Sequence, residues 1–124
     1  MHKDKIILFA EPIEANPSEF YANFENRGYK TIIVKTLKET LLTLQDVRVD
    51  LLVLDAALLE EDCGFISVIK GMEKDLPIII CSATNTPELE SKIRKQRIFY
   101  YHIRSFGAQD LEMAISNAVN GLPK

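Results

Sequence analysis

Cysteine is scarce in this chain of 124 residues: there are two, Cys63 and Cys81, without CxxC spacing. Two thiols cannot build a four-ligand metal site alone, so two reduced thiols are expected rather than a zinc or redox centre. Charge of one sign is also lacking, with 15 Lys+Arg against 18 Asp+Glu, a formal net charge of −3 and no extended Lys/Arg block. A phosphate backbone wants clustered positive charge, and nucleic acid is therefore not expected as a direct ligand. Long hydrophobic runs are missing too. The longest, such as Leu51–Leu54 and Ile78–Cys81, are far too short to span a bilayer. The segment Met1-His2-Lys3-Asp4-Lys5 leads into a strand-like run without a signal-peptide core or cleavage site, so a cytoplasmic location without a membrane partner is expected. No internal repeat, linker or low-complexity segment is found.

What remains is ample core material: 47% of the residues are hydrophobic, enough for one domain spanning 1–124 without staples. Runs apolar on successive residues occur at Ile6–Ala10, Thr31–Val34, Leu51–Leu54 and Pro77–Cys81. Such runs predict strands buried on both faces, as in a parallel sheet covered by helices. A fifth run, Ile98–Ile103, is aromatic and β-branched but carries polar atoms, which predicts an edge strand.

The intervening segments predict helices. Asn16-Pro17-Ser18-Glu19 offers a cap, a proline at the first helical position and a glutamate three residues past the cap, followed by Phe20 and Phe24 and stopped by Gly28. Thr36-Leu37-Lys38-Glu39 is a capping box ahead of Leu37, Leu41 and Leu44. Phe65, Ile66, Val68, Ile69 and Met72 form a third apolar stripe, and Thr86-Pro87-Glu88 opens a fourth helix with Leu89 and Ile93. Gly107 precedes a fifth with Leu111, Ile115, Ala118, Val119 and Leu122. Five βα units leave room for right-handed crossovers but are too few for an eight-stranded barrel. The predicted fold is α/β, an open, doubly wound five-stranded parallel sheet.

In such sheets ligands bind beyond the carboxyl ends of the strands. The residues there are Glu11 after the first strand, Asp55 and Ala57 after the third, Ser82 after the fourth and Arg104 after the fifth.

This set resembles the receiver (CheY-like) domain of two-component response regulators, from about Lys5 to Val119. The resemblance implies a flavodoxin-like (βα)5 fold with strand order 2-1-3-4-5. It implies a signalling domain rather than an enzyme, accepting a phosphoryl group on Asp55 from a histidine kinase or phosphotransfer protein. Ser82 stands at the family's hydroxyl position, Tyr101 at its switch aromatic, and Arg104 where the family has Lys. Glu11, Asp55 and the backbone carbonyl of Ala57 are implied to hold magnesium, weakly, because Ala10 replaces the first acid. A downstream partner would dock on the face of the fourth helix, fifth strand and fifth helix, where receivers also pair as homodimers. Ser105 stands in place of the usual proline, and Glu60-Glu61-Asp62 adds acids beside the site. These departures keep open a pseudo-receiver that binds partners regardless of phosphorylation.

Plainer readings stand beside these. Asp55 also suits a turn, Ser82 a cap, Tyr101 edge-strand packing, and Arg104 with Glu11 a structural ion pair. His102 is expected on the opposite face from Tyr101, half-exposed. Glu60-Glu61-Asp62 also suits a solvated loop ahead of the third helix. A phosphatase-type Cys-x5-Arg loop starting at Cys81 fails because position 87 is Pro. A nucleotide- or flavin-binding module is disfavoured by the glycine-free, acidic loop Ala10-Glu11-Pro12-Ile13-Glu14-Ala15.

Overall fold

The structure is a computed structural model and describes residues 5–12, 16–59, 64–83 and 86–121. The expectations placed on Met1–Asp4, Ile13–Ala15, Glu60–Cys63 and Leu122 lie outside the described residues. Strands β1 (Ile6–Ala10), β2 (Lys30–Val34), β3 (Leu51–Asp55), β4 (Ile78–Ser82) and β5 (Tyr100–Ile103) alternate with helices α1 (Ser18–Asn26), α2 (Leu37–Asp46), α3 (Gly64–Met72), α4 (Pro87–Arg94) and α5 (Gln109–Val119). All strand pairs are parallel and their order is 2-1-3-4-5, as the sequence and its resemblance predict. No helix among the described residues is long and apolar enough to cross a membrane.

Alternation along each strand divides the core in two. Leu8, Ala10, Leu52, Leu54, Ile78 and Ile80 pack with Leu44 of α2, Ile66 and Ile69 of α3 and Ile93 of α4. Ile7, Phe9, Leu51, Val53, Ile79 and Cys81 pack with Phe20, Tyr21 and Phe24 of α1 and Leu111 and Ile115 of α5. A sheet hydrophobic on both faces needs both covers, which makes the winding double.

The local signals hold in part. Thr36 caps α2, its hydroxyl accepting from Glu39 N–H at 3.0 Å, while the Glu39 carboxylate reaches one residue past the cap to Lys35 N–H at 2.9 Å. Thr86 caps α4 through Leu89 N–H, with Pro87 opening the helix. Gly28, at φ +96°, ends α1 in a Schellman arrangement: its N–H bonds Glu25 O, and Tyr29 N–H bonds Phe24 O. The start of α1 differs from expectation. Pro17, in extended backbone at ψ 155°, is itself the cap and makes no side-chain bond, so the helix begins one residue later than predicted.

Two burial expectations are corrected. The β2 run is not buried on both faces, because β2 lies at the sheet edge and Ile33 is 37% exposed. The α3 stripe is narrower than read, since Ile66 and Ile69 are buried whereas Val68 and Met72 point outward.

Phe24 is wholly buried, with ring contacts to Phe20 and Tyr29. Phe24→Ala is expected to lower the unfolding free energy by about 3–5 kcal/mol, and Thr36→Ala by about 1 kcal/mol. Urea denaturation checks both, and a smaller loss at Phe24 than at Thr36 would contradict the packing described.

Candidate functional site

The carboxyl ends of β1, β3 and β5 bring three of the sequence-predicted residues into direct contact. Glu11 extends β1, its N–H bonding Val34 O at 3.0 Å, and its side chain is 2% exposed. Asp55 closes β3 just ahead of a 3₁₀ turn over Ala56–Leu59. One Asp55 oxygen, Oδ1, accepts from Ala57 N–H at 2.9 Å, so the turn-forming reading of Asp55 is realised. Its other oxygen, Oδ2, accepts from Arg104 Nη2 at 3.2 Å. The same Nη2 lies 3.9 Å from Glu11 Oε2.

Arg104 owes its placement to the end of β5. It opens a 3₁₀ turn over Arg104–Phe106, and Gly107, at φ +93°, closes the turn with its N–H on Arg104 O at 3.1 Å. The guanidinium, with 19% of its side chain exposed, spans from β5 across to Asp55 and Glu11. A single guanidinium nitrogen, Nη2, is the atom that faces both carboxylates.

A fourth member was not anticipated. Tyr21 of α1 donates its hydroxyl to Glu11 Oε1. Burial, then the bond to Glu11, push the Tyr21 phenol well above its ordinary value, so it acts as a donor and not as a base. The signal was present in the sequence: Tyr21 lies three residues before Phe24, on the face predicted to be buried, and a buried tyrosine hydroxyl seeks an acceptor.

The remaining candidates occupy other positions. Ser82 is buried at the end of β4, in register with Ile103. Tyr101 is turned to the opposite face of the sheet from Tyr21, packed with the α2–α4 core, and the Arg94 guanidinium lies 5.4 Å from its ring centroid. The Tyr101 hydroxyl is buried without a hydrogen-bond partner among the described residues. His102 alternates away from Tyr101 as predicted, with its ring 6.2 Å from that of Tyr100, but it is 2% exposed rather than half-exposed. Cys81 pairs in register with Asp55 and is a free, buried thiol. Burial pushes that thiol up to about 12 against a lesser downward pull from Arg104, so it stays protonated and is no nucleophile.

Among the described residues no group of three or more His, Cys, Asp or Glu side chains assembles, in keeping with Ala10 standing where a further acid is expected. The oxygen donors of Asp55 and Glu11 are nevertheless the kind a hard divalent cation takes. They converge on a single cationic nitrogen, so the gap between them suits positive charge. A run of positive side chains lies elsewhere, where Lys92, Arg94, Lys95 and Arg97 are exposed at the end of α4 and just beyond it. Arg94 there pairs with Glu90 at 2.7 Å.

With no partner among the described residues, the buried Tyr101 hydroxyl is desolvated without return, so Tyr101→Phe is expected to stabilise the fold by about 1 kcal/mol; a comparable loss on chemical denaturation would contradict this. Burial, and secondarily Arg104, lower His102 below its ordinary 6.5, against upward pulls from Asp110 and from a bond with the Gly107 backbone. The unfolded chain then takes up a proton first, so stability falls as pH drops below 6.5. His102→Gln should flatten that slope, and an unchanged slope would contradict the assignment.

No protein-family model matches the sequence, and comparison with curated proteins likewise finds no match. Solved structures do match. The signal receiver domain of an HD domain-containing protein from Pseudomonas fluorescens Pf-5 is 19% identical, with a TM-score of 0.82 over 96% of this chain and 97% of that one. A CheY-like response regulator receiver domain from Methanospirillum hungatei JF-1 is 17% identical, with a TM-score of 0.82 over 96% of each chain. The NtrC4 receiver domain from Aquifex aeolicus is 22% identical, with a TM-score of 0.78 over 94% of this chain and 97% of that one. Over nearly its whole length, therefore, the chain has the fold of response regulator receiver domains.

Proposed function

We propose that the chain is a receiver module of two-component signal transduction, acting in the cytoplasm, in which Asp55 accepts a phosphoryl group from a histidine kinase or phosphotransfer protein. The observation that carries this reading is the posture of Asp55 at the end of a buried central strand. One of its oxygens is fixed by the Ala57 amide and the other is held by Arg104. A carboxylate restrained in this way has lost its rotamer freedom before a donor arrives, which favours in-line attack.

In the transfer an Asp55 oxygen attacks the phosphorus of a phosphohistidine. The new P–O bond forms as the P–N bond breaks, and the electron pair returns to the imidazole, which takes up a proton from solvent. Arg104 turns its donors from the Asp55 carboxylate to the phosphoryl oxygens, where charge-assisted bonds offset the added negative charge. Ser82 donates its hydroxyl to one of those oxygens from the adjacent strand end. Glu11, Asp55 and the Ala57 carbonyl would hold magnesium, whose charge would lessen the repulsion between Asp55 and an incoming anionic donor. Tyr101 repacks behind Ser82, and its unpartnered hydroxyl favours any arrangement that supplies an acceptor. That movement would alter the surface formed by α4, β5 and α5, where a downstream partner or a second copy docks. The module performs no turnover on a separate substrate and is not an enzyme in that sense.

A second reading has its own observation. The contacts that join Tyr21, Glu11, Arg104 and Asp55 already satisfy much of the site. A pseudo-receiver, using its surface without phosphorylation, would keep such a network permanently closed.

Intact mass after incubation with acetyl phosphate and magnesium separates the two. One phosphoryl adduct is expected on the wild-type chain and none on Asp55→Ala or without magnesium. Absence of an adduct on all three would overturn the phosphoacceptor reading in favour of the pseudo-receiver.

A further inference from the structure

We infer that the Arg104 guanidinium and a divalent cation are alternative occupants of the gap between Glu11 and Asp55, so that this chain loads metal only by expelling its own arginine. The inference concerns regulation of the site proposed above and rests on that reading of it.

Three features lead to mutual exclusion. First, Arg104 Nη2 lies 3.2 Å from Asp55 Oδ2 and 3.9 Å from Glu11 Oε2. A magnesium ion bound by both carboxylates at about 2.1 Å would need much of the same space. Second, Glu11 is not free to swing aside, because it is buried and Tyr21 of α1 holds its other oxygen. Third, position 10 is Ala, which offers no further carboxylate to balance both cations together. Two like charges a few ångströms apart in a partly buried pocket repel strongly, and the two carboxylates found there among the described residues leave little anionic charge to balance both. One guanidinium nitrogen already lies near both carboxylates, so an incoming ion meets the same competitor at each of them.

Tyr21 is the positioning residue in this scheme. Its hydroxyl orients Glu11 towards the gap whichever cation fills it. The resting site is thereby closed by its own side chains, and metal loading becomes a displacement reaction.

Manganese alone is a suitable probe, since the bound ion loses the resonance signal of the free one. Arg104→Met, which keeps an apolar stem and removes the charge, is expected to bind Mn2+ roughly tenfold or more tightly than wild type. The gain should vanish in Arg104→Met with Asp55→Asn. Equal affinities of wild type and Arg104→Met would overturn the inference, as would a gain that survives Asp55→Asn. Should the variant fail to fold, the Arg104 side-chain NH resonance of the wild type gives a second readout under magnesium titration. It is expected to move towards the position of a free guanidinium, and a resonance unmoved at metal saturation would overturn the proposal. Neither readout involves phosphoryl transfer. Metal exchange without a phosphoryl adduct would cost the receiver reading alone, and an adduct with metal bound beside an unmoved Arg104 would cost this inference alone.

Discussion

The guanidinium of Arg104 sets the terms for the carboxyl rim of the sheet. Glu11 and Asp55 sit at the ends of neighbouring central strands, 2% and 12% exposed in their side chains, and two such carboxylates would repel each other in a poorly hydrated setting. A cation between them is needed for the strand ends to stay together. Arg104 meets that need from the end of the edge strand, and Tyr21 adds a neutral donor from α1. Isolated buried ion pairs often contribute little net stability against an apolar replacement, but removing one partner of a built network leaves a buried charge exposed to its full desolvation cost.

The rest of the fold exists to deliver these groups. Period-two alternation sends Ile7 and Phe9 towards α1 and α5, and Glu11 continues that side of β1 far enough to meet Tyr21. Leu51 and Val53 do the same for Asp55 on β3. The edge-to-face packing of Tyr21 on Phe9 and Phe20, at ring separations of 5.0 and 5.5 Å, fixes where its hydroxyl can reach. Tyr101 lies on the other face with Ile80 and Ile93, so the site and the α4 surface are separated by one strand thickness.

Much of this was legible in the sequence because apolar runs, capping boxes and strand-end residues are local signals. The order of elements, the double winding and the convergence of Glu11, Asp55 and Arg104 all follow from reading which residues close each strand. What stayed hidden depended on neighbours distant in sequence. Tyr21 carries no signal of its acceptor in the sequence, because Glu11 comes beside it only in the fold. His102 looked half-exposed because an edge strand was assumed to leave one face open, whereas its environment against Tyr100 and the turn at Gly107 closes that face. The first residue of α1 was misread because Asn16 and Pro17 each suit a helix start, and only backbone geometry decides between them. Val68 and Met72 fit a helical stripe by spacing, but the sheet buries a narrower one.

The most direct test of the account is a double-mutant cycle on Asp55→Asn and Arg104→Met, read as unfolding free energies from chemical denaturation. If Arg104 holds the rim together, the two substitutions should be coupled by about 1–3 kcal/mol. Additive effects with a coupling near zero would show that the contact does not organise the site, and would contradict the account at its centre.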